Sequence, residues 1–165
     1  MIYNDLIDDI KSADYVLFGL GKEIYSSDDT EIYDNLKKLF ASMEHVNYFI
    51  VSTDKAGTIR NCGLNERRIV CPVNENNAEE EEKQWDFYNK WLSATLAKKL
   101  LVIEIGEGFN NPNLIRWPFE RIVMINDKAH FYRAHSTFYQ IPKEIADKAC
   151  TMKINSYEVL KELVN

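Results

Sequence analysis

The sequence predicts an α/β fold, a three-layer sandwich in which a largely parallel sheet lies between two layers of helices. Three observations support this prediction. Short apolar segments rich in β-branched residues alternate along the chain with amphipathic helical segments. Several of the apolar segments are hydrophobic throughout, as expected of strands that are buried on both faces. Three of them are followed directly by glycine or by small polar residues, which is typical of the turn between a strand and a helix.

The first half of the chain divides into elements by the spacing of its apolar residues, which is helical where they recur every three or four positions. In chain order we predict a helix at 5–12, a strand at 15–18, a polar loop at 26–30, a helix at 31–43, a strand at 48–51, a helical turn at 59–64 and a strand at 68–71. The first strand leads into Gly19-Leu20-Gly21, beside Lys22. Lys22 is interpreted as a solvated lysine next to a tight turn, with an anion contact as the alternative. The second strand leads into Ser52-Thr53-Asp54, at the edge where open α/β sheets bind ligands.

The second half continues the alternation without a repeat or a linker. We predict a polar loop at 73–78, a helix from 79 to about 98, a strand at 100–105, a helix at 118–124, a strand at 129–134, a helix at 142–148, a strand at 150–154 and a helix at 156–163. The acidic run at 79–82 complements the dipole of a helix N-terminus, so it is interpreted as a solvated face and not as a metal site. Trp85 and Trp91 belong to the apolar stripe of the same helix, and either Asn155 or Ser156 caps the last helix.

The stretch Lys99 to Glu120, KLLVIEIGEGFNNPNLIRWPFE, organises the rest of the chain. Its buried strand ends in Gly106-Glu107-Gly108, and Asn110-Asn111-Pro112 then has the pattern of a helix start, with an Asn cap and Pro at the first position. A strand, a glycine turn and a helix N-terminus form a frequent anion- and nucleotide-binding arrangement, although any βαβ unit needs some such turn. Pro118 is predicted to begin a fresh helix. Arg116 is four residues from Glu120, so we expect an ion pair, with a ligand phosphate as the alternative.

Composition excludes several function classes. The 165 residues suit one domain, 1–165, with a sizeable core, and the 45% hydrophobic content is ordinary for a globular chain. A net charge of −6 without a basic cluster argues against a nucleic-acid surface. No apolar run approaches membrane-spanning length, and the first residues lack the pattern of a signal peptide. Cys62, Cys71 and Cys150 form neither a disulfide framework nor a CxxC metal site, so we expect a cytoplasmic protein.

These motifs resemble the sirtuin family, NAD-dependent protein deacylases with a Rossmann-like core. LLVIEIGEGFNNPNLIRWPFE, Leu100 to Glu120, is similar to the signature of the macrodomain-linked bacterial branch, which acts as a protein ADP-ribosyltransferase. FYRAHSTFYQIPKEI, Phe131 to Ile145, continues the match. Residues 48–54 with 62–64 resemble the family's Thr-Thr-Asn segment and its downstream Ala-Gly, and Gly19-Leu20-Gly21 takes the place of its Gly-Ala-Gly. The resemblance implies a shortened sirtuin-like NAD-binding domain.

Departures from the family pattern concern the chemistry. The family's zinc module uses four cysteines, but the segment 73–99 contains none, so no zinc is expected. The arginine-bearing loop after Gly-Ala-Gly is also missing, because 26–30 leads into the next helix. Asp54 and Ala56 stand where the family has Asn and Asp. Asn74 lies near the place of the deacylases' His and of the ADP-ribosylating branch's Gln, and none of the three histidines falls there.

The resemblance therefore implies that the adenine-ribose half of a dinucleotide site is retained while the nicotinamide half is largely dismantled. The candidate nucleotide-binding residues are Gly19, Gly21, Ser52, Thr53, Asp54, Gly106, Gly108, Arg133 and His135. The catalytic residues are unknown, with Asp54, Glu107 and Asn74 as candidates, and no metal site is predicted. Ionised Asp54 and Glu107 at the ligand edge are expected to repel a diphosphate.

Three hypotheses follow. The first is a degenerate sirtuin-like module that binds NAD, ADP-ribose or a related nucleotide without deacylase activity. The second is a protein-interaction subunit with a relic site, in which a protein partner or a second copy covers apolar surface near Trp85 and Trp91. The third is an NAD-consuming enzyme, either an ADP-ribosyltransferase or a deacylase, that uses Asp54 or Glu107 as its base.

Overall fold

The computed structural model describes residues 2–26 and 31–165. Its helices and strands are α1 (Ile2–Ser12), β1 (Tyr15–Leu20), α2 (Lys22–Tyr25), α3 (Ile32–Ala41), β2 (Tyr48–Ser52), β3 (Ile69–Val70), α4 (Ala78–Ala94), β4 (Leu100–Ile105), α5 (Arg116–Ile125), β5 (His130–His135), β6 (Ala149–Lys153) and α6 (Ser156–Val164). Four 3-10 helices, Thr58–Asn61, Glu66–Arg68, Glu75–Asn77 and Lys143–Lys148, connect them. The predicted strands are all present, each within about two residues of its predicted bounds.

The six strands form one parallel sheet in the order β3-β2-β1-β4-β5-β6. From β1 at the centre, the chain passes through β2 to β3 at one edge of the sheet. It then returns to β4, which lies beside β1, and continues through β5 to β6 at the other edge. Strands β1 and β4 are therefore neighbours whose connections leave on opposite sides, and this point is where open α/β sheets bind their ligands. The predicted α/β fold with a mainly parallel sheet is confirmed.

Two apolar clusters hold helices against the two faces of the sheet. Residues from α1, α3 and α6, such as Leu6, Leu36 and Leu160, pack on one face. Residues from α4, α5 and the 3-10 helix Lys143–Lys148, such as Tyr88 and Phe119, pack on the other. The strands contribute alternate residues to both clusters, which explains why apolar residues occupy successive positions of the central strands. The predicted three layers are thus confirmed.

Four predicted boundaries are wrong. Strand β1 continues to Leu20, so Gly19 lies inside the strand. Helix α4 ends at Ala94, where the Asn126 amide binds the carbonyl oxygens of Thr95 and Lys98 and the chain turns away. Residues 111–115 form turns where the Asn110-Asn111-Pro112 pattern predicts a helix start, and α5 begins at Arg116, two residues before the predicted start at Pro118. The predicted helix at 142–148 is a 3-10 helix.

Pro118 explains where α5 begins. It is the third residue of the helix, and a first-turn N–H has no intrahelical acceptor, so proline is tolerated there. A helix that began at Pro112 would place Pro118 in its interior, at a cost of about 3 kcal/mol. The prediction that Pro118 belongs to the start of a fresh helix is therefore confirmed.

Glu81, in the first turn of α4, connects this helix to the β3 region. It is 3% exposed and accepts hydrogen bonds from Arg60 Nε (3.0 Å), the Cys71 backbone N–H (3.0 Å) and Asn74 Nδ2 (3.0 Å). Trp85 and Trp91, on the same helix, are half-buried against the sheet cluster, while Phe87 between them is exposed. The acidic first turn of α4 therefore contains one structural carboxylate that spacing alone did not distinguish.

Three expectations from the sequence concern features outside the sheet. Within 2–26 and 31–165, no helix is long and apolar enough to cross a membrane. In the same part of the chain, no group of three or more His, Cys, Asp or Glu residues is arranged to hold a metal ion. The predicted polar loop at 26–30 lies, apart from Ser26, outside the described residues.

Candidate functional site

A cleft of about 430 Å³ lies at the carboxyl ends of β1, β2 and β4. We call it the switch-point cleft; it is lined by Lys22, Tyr25, Ser26, Thr53, Asp54, Lys55, Ala56, Val73, Glu107, Asn110 and Asn111. A cavity of about 450 Å³ near Lys37, Tyr48 and Arg68 lies by the amino ends of β2 and β3. Because ligands of parallel α/β sheets bind at the carboxyl ends of the strands, the switch-point cleft is the candidate site.

Two glycine turns meet at the floor of this cleft. The Gly21 backbone N–H donates to the Ile105 carbonyl (2.8 Å), and the Gly106 carbonyl accepts from the Glu23 N–H (3.0 Å). A Cβ on Gly21 would lie 2.4 Å from both the Gly106 oxygen and the Glu107 Cα, so only glycine allows this approach. Gly106 also has a φ of +79°, which favours glycine. The sequence-predicted turns after β1 and β4 are thus in direct contact.

The other two candidate glycines have different surroundings. The side-chain position of Gly19 faces Ile115 and Phe119, and a Cβ there would lie 2.6 Å from both side chains. Gly19 therefore allows the α5 side of the sheet to pack closely, and we leave it out of the proposed site. The nearest neighbours of a Cβ on Gly108 would be the ring of Phe138, at 3.1 Å, and His135 Nε2, at 3.7 Å, neither of which lines the cleft, and we leave Gly108 out of the proposed site as well.

The end of β2 and the polar turn that follows it provide Ser52, which lies outside the cleft lining, and two cleft-lining residues, Thr53 and Asp54. Ser52 is fully buried, with Oγ 2.6 Å from the Tyr25 hydroxyl and accepting from the Asp54 N–H (3.1 Å). Asp54 Oδ2 accepts from the Tyr33 hydroxyl (2.9 Å) and from the Ile59 N–H (3.1 Å). Thr53 and Asp54 line the cleft, whereas Ser52 supports them from below. One carboxylate oxygen of Asp54 is therefore used to shape the loop that follows.

Asn74, the third catalytic candidate, has its amide engaged in local structure. It is buried; Oδ1 accepts from the Asn76 N–H (3.1 Å) and Nδ2 donates to Glu81 (3.0 Å). The side chain caps the 3-10 helix Glu75–Asn77. These hydrogen bonds give Asn74 a structural role, and a catalytic role for Asn74 remains a prediction.

A buried charged network lies beneath the cleft on the α5 side. Arg133 is fully buried; Nε and Nη2 donate to the two carboxylate oxygens of Glu104 (2.7 and 3.0 Å), and Nη1 donates to Glu120 (3.1 Å) and the Gln140 carbonyl (2.7 Å). Burial opposes its charge, yet Glu104 and Glu120 raise the pKa of Arg133. Four of the five N–H groups of Arg133 thus donate to protein acceptors away from the cleft, and we leave Arg133 out of the proposed site.

Arg116 joins the same network from the first turn of α5. Its guanidinium donates to the backbone carbonyls of Glu107 (3.2 Å), Phe138 (3.0 Å) and Gln140 (3.3 Å), and Nη1 lies 3.9 Å from Glu104. The predicted pairing of Arg116 with Glu120 is wrong, because the sheet brings Arg133 to Glu120 and the turn carbonyls to Arg116. Arg116 holds together the turns that follow β4 and β5.

His135 lies at the end of β5 and is neutral. Its Nδ1 accepts the N–H groups of Thr137 (3.0 Å) and Phe138 (2.9 Å), which places the ring proton on Nε2. Burial lowers the pKa of His135, although Glu23 Oε2, 3.4 Å from Nδ1, opposes the shift. Since Nε2 faces Gly108, His135 supports the turn that carries Glu107.

Glu107 is the least satisfied polar side chain in the site. It is 3% exposed and lines the cleft, and its Oε2 has no hydrogen-bond partner among the residues that the structure describes. Burial, with a smaller contribution from Glu104, raises the pKa of Glu107 to about 8, against the opposing effect of Arg116. The carboxyl group is therefore mostly protonated at neutral pH.

Sequence reasoning missed several residues of the cleft wall. No sequence pattern singles out Lys55, and the pattern at Asn110 and Asn111 indicates helix caps, whereas all three residues line the cleft. The sequence does contain a hint for the two asparagines. Pro118 indicates that the helix begins well after Asn111, which leaves both asparagines in a loop. Lys22, for which a solvated role was favoured, also lines the cleft while remaining exposed.

Comparison with known proteins finds two relatives that match part of the chain. No protein-family model matches the chain. The chain is 31% identical over 61 residues to a protein ADP-ribosyltransferase of Staphylococcus aureus, covering 37% of this chain and 19% of that protein. It is 41% identical over 51 residues to a probable bifunctional ADP-ribose hydrolase/ADP-ribosyltransferase of Fusarium oxysporum f. sp. cubense, covering 30% of this chain and 8% of that protein. The matches thus span less than a fifth of these relatives.

Solved structures are similar over nearly the whole chain. Two structures from work on the basis of sirtuin substrate affinity superpose with TM-scores of 0.62 and 0.58, at 10% and 8% identity. The alignments cover 99% and 97% of this chain and 97% of each solved chain. The fold is therefore sirtuin-like, and the resemblance inferred from the sequence is confirmed at the level of the fold.

Proposed function

We propose that the switch-point cleft binds NAD or ADP-ribose in a domain without deacylase activity. The observation that carries this proposal is the position of the cleft at the switch point of a sheet of order 3-2-1-4-5-6, the crevice in which such sheets bind nucleotides. The names of the two curated relatives, which refer to ADP-ribose transfer, support the choice of ligand.

The chemistry of the cleft wall suits a nucleotide diphosphate. Lys22 and Lys55 provide positive charge, and the side-chain amides of Asn110 and Asn111 can both donate and accept hydrogen bonds with ribose hydroxyls. Two of the catalytic candidates, Asp54 and Asn74, already hold local structure. This combination supports binding more than turnover.

Ligand binding is expected to raise the thermal midpoint, because NAD and ADP-ribose bind only the folded chain. At about 100 times the dissociation constant the gain is about 2.7 kcal/mol. Joint replacement Lys22→Ala and Lys55→Ala should weaken binding by about tenfold or more. The matched control is Lys98→Ala with Lys99→Ala, two exposed lysines at the opposite edge of the sheet. The absence of any midpoint shift in the wild-type chain, or equal loss in both double variants, would contradict the proposal.

A second candidate function is ADP-ribosyl transfer, which the names of the curated relatives favour. This reaction breaks the bond between nicotinamide and ribose and joins the ADP-ribose to an acceptor oxygen or nitrogen, which loses a proton, so nicotinamide is released. A base is needed for the acceptor, and with a pKa of about 8 the Glu107 carboxyl group is about one-tenth ionised at pH 7.

Under the binding proposal we expect no nicotinamide release from NAD above the level of buffer at pH 7. The assay is chromatographic detection of nicotinamide, with Asp54→Asn as the comparison variant and its thermal midpoint as a check of folding. Repeated turnover in the wild-type chain that disappears in a folded Asp54→Asn variant would establish the second candidate instead.

A further inference from the structure

Glu107 differs from Asp54, the other acid that lines the cleft in the described part of the chain, because one of its buried carboxyl oxygens has no hydrogen-bond donor there. Asp54 is equally buried, but its Oδ2 accepts two hydrogen bonds. Glu107 Oε2 has no such donor anywhere in 2–26 and 31–165. A buried polar atom without a hydrogen bond costs about 1–3 kcal/mol, so the Glu107 carboxyl group has room for a partner from outside the protein, such as an ordered water, an ion or a ligand.

The surrounding charges favour the neutral form of this side chain. On the α5 side, Glu104 and Glu120 carry two negative charges and Arg116 and Arg133 two positive charges, which pair with one another. The network is balanced without Glu107, and Arg116 donates to the Glu107 backbone carbonyl. Ionised Glu107 would therefore add an unpaired buried negative charge. The charged and titratable groups around it are Glu104 on β4, Arg116 and Glu120 on α5, Arg133 and His135 on β5, Lys22 and Tyr25 on α2, and Asp54 and Lys55 after β2.

We propose that Glu107, as a neutral carboxylic acid, donates a hydrogen bond from its carboxyl group to a phosphate oxygen of the bound nucleotide. This inference rests on the proposed nucleotide site. A phosphate is the natural acceptor, because Lys22 and Lys55 line the same cleft and draw the anionic part of the ligand toward it. A neutral acid removes the repulsion between Glu107 and a diphosphate that the sequence led us to expect.

Protonation of Glu107 then becomes part of ligand binding. The pKa of Glu107, about 8 in the folded chain, lies above its ordinary value, so the neutral form is favoured below pH 8 and is lost as the pH rises through 8. A hydrogen bond to phosphate raises that pKa further in the complex, and binding near pH 8 takes up protons. His135 contributes little over this range because its pKa is lowered and its ring is already neutral.

The test measures the affinity for ADP-ribose by calorimetry at pH 6.5 and at pH 9. The diphosphate of ADP-ribose keeps a constant charge between these two pH values. If only the neutral acid binds, the wild-type affinity falls about tenfold between these values, because a group with a pKa near 8 is about nine-tenths ionised at pH 9. Glu107→Gln retains a neutral donor and should show an affinity independent of pH. Glu82→Gln, on the exposed face of α4, is the matched control and should behave as the wild type.

A second measurement avoids dependence on the variant. Wild-type binding at pH 8 in HEPES and in Tris, whose ionisation heats differ, should show proton uptake, which a merely structural Glu107 would not produce. Equal pH profiles in the wild-type and Glu107→Gln chains, or no proton uptake, would overturn this inference while leaving the nucleotide site intact. No binding by the wild-type chain at pH 6.5 would overturn the proposed function and this inference with it.

Discussion

Replacement of Arg133 by methionine is expected to lower the free energy of unfolding by about 3–5 kcal/mol, because it leaves the Glu104 carboxylate buried without its main counter-charge. Glu104 and Arg133 are both fully buried and are register neighbours on β4 and β5. Their two parallel hydrogen bonds, at 2.7 and 3.0 Å, form a planar pairing that lysine cannot reproduce. Urea denaturation followed by circular dichroism provides the measurement.

The double replacement Arg133→Met with Glu104→Met separates loss of a counter-charge from loss of packing. An apolar pair of similar volume avoids the buried charge, so the double variant should recover most of the stability lost by Arg133→Met. Arg121→Met, at an exposed position of α5, is the control and should change the free energy of unfolding by less than about 0.5 kcal/mol. A cost for Arg133→Met no larger than that of the control would show that the network contributes little.

The same pair shows what local sequence patterns can and cannot predict. The strand 100–105 was recognisable from its apolar run, although Glu104 lies within it, because five hydrophobic residues determine the pattern. Arg133 lies near a strand end, as predicted, but its hydrogen-bond partner Glu104 is 29 residues away in sequence. Strand adjacency is set by the whole sheet, and no local spacing reveals that β4 and β5 present these two side chains to each other.

The site was predictable where it depends on strand ends and unpredictable where it depends on side-chain direction. The turns containing Gly21, Thr53 and Gly106 were predicted at one edge, because parallel strands bring their carboxyl ends together. Gly19 lies inside β1 and not in the turn, because the strand runs two residues further than its apolar run indicates. The protonation of Glu107 follows from burial and from the balanced charges beneath it, which only the packed structure contains.

Replacement of Gly21 by alanine is expected to lower the free energy of unfolding by about 1–3 kcal/mol and to weaken ADP-ribose binding by at least about tenfold. The backbone of Gly21 has φ −96° and ψ 179°, a conformation open to any residue, so the effect is one of space alone. The added Cβ would lie 2.4–2.5 Å from backbone atoms of Gly106 and Glu107, which cannot rotate away as a side chain can. The two turns must separate, and the cleft floor and Glu107 move with them.

Gly108→Ala is the matched control, because Gly108 belongs to the same turn sequence and undergoes the same chemical change. Its Cβ would meet the ring of Phe138, a partly exposed side chain that can shift, so stability should change by less than about 0.5 kcal/mol. Thermal unfolding and calorimetry with ADP-ribose on both variants provide the comparison. If Gly21→Ala bound ADP-ribose as well as Gly108→Ala did, the contact between the two turns would be irrelevant to binding, and the ligand would have to lie elsewhere along the strand ends.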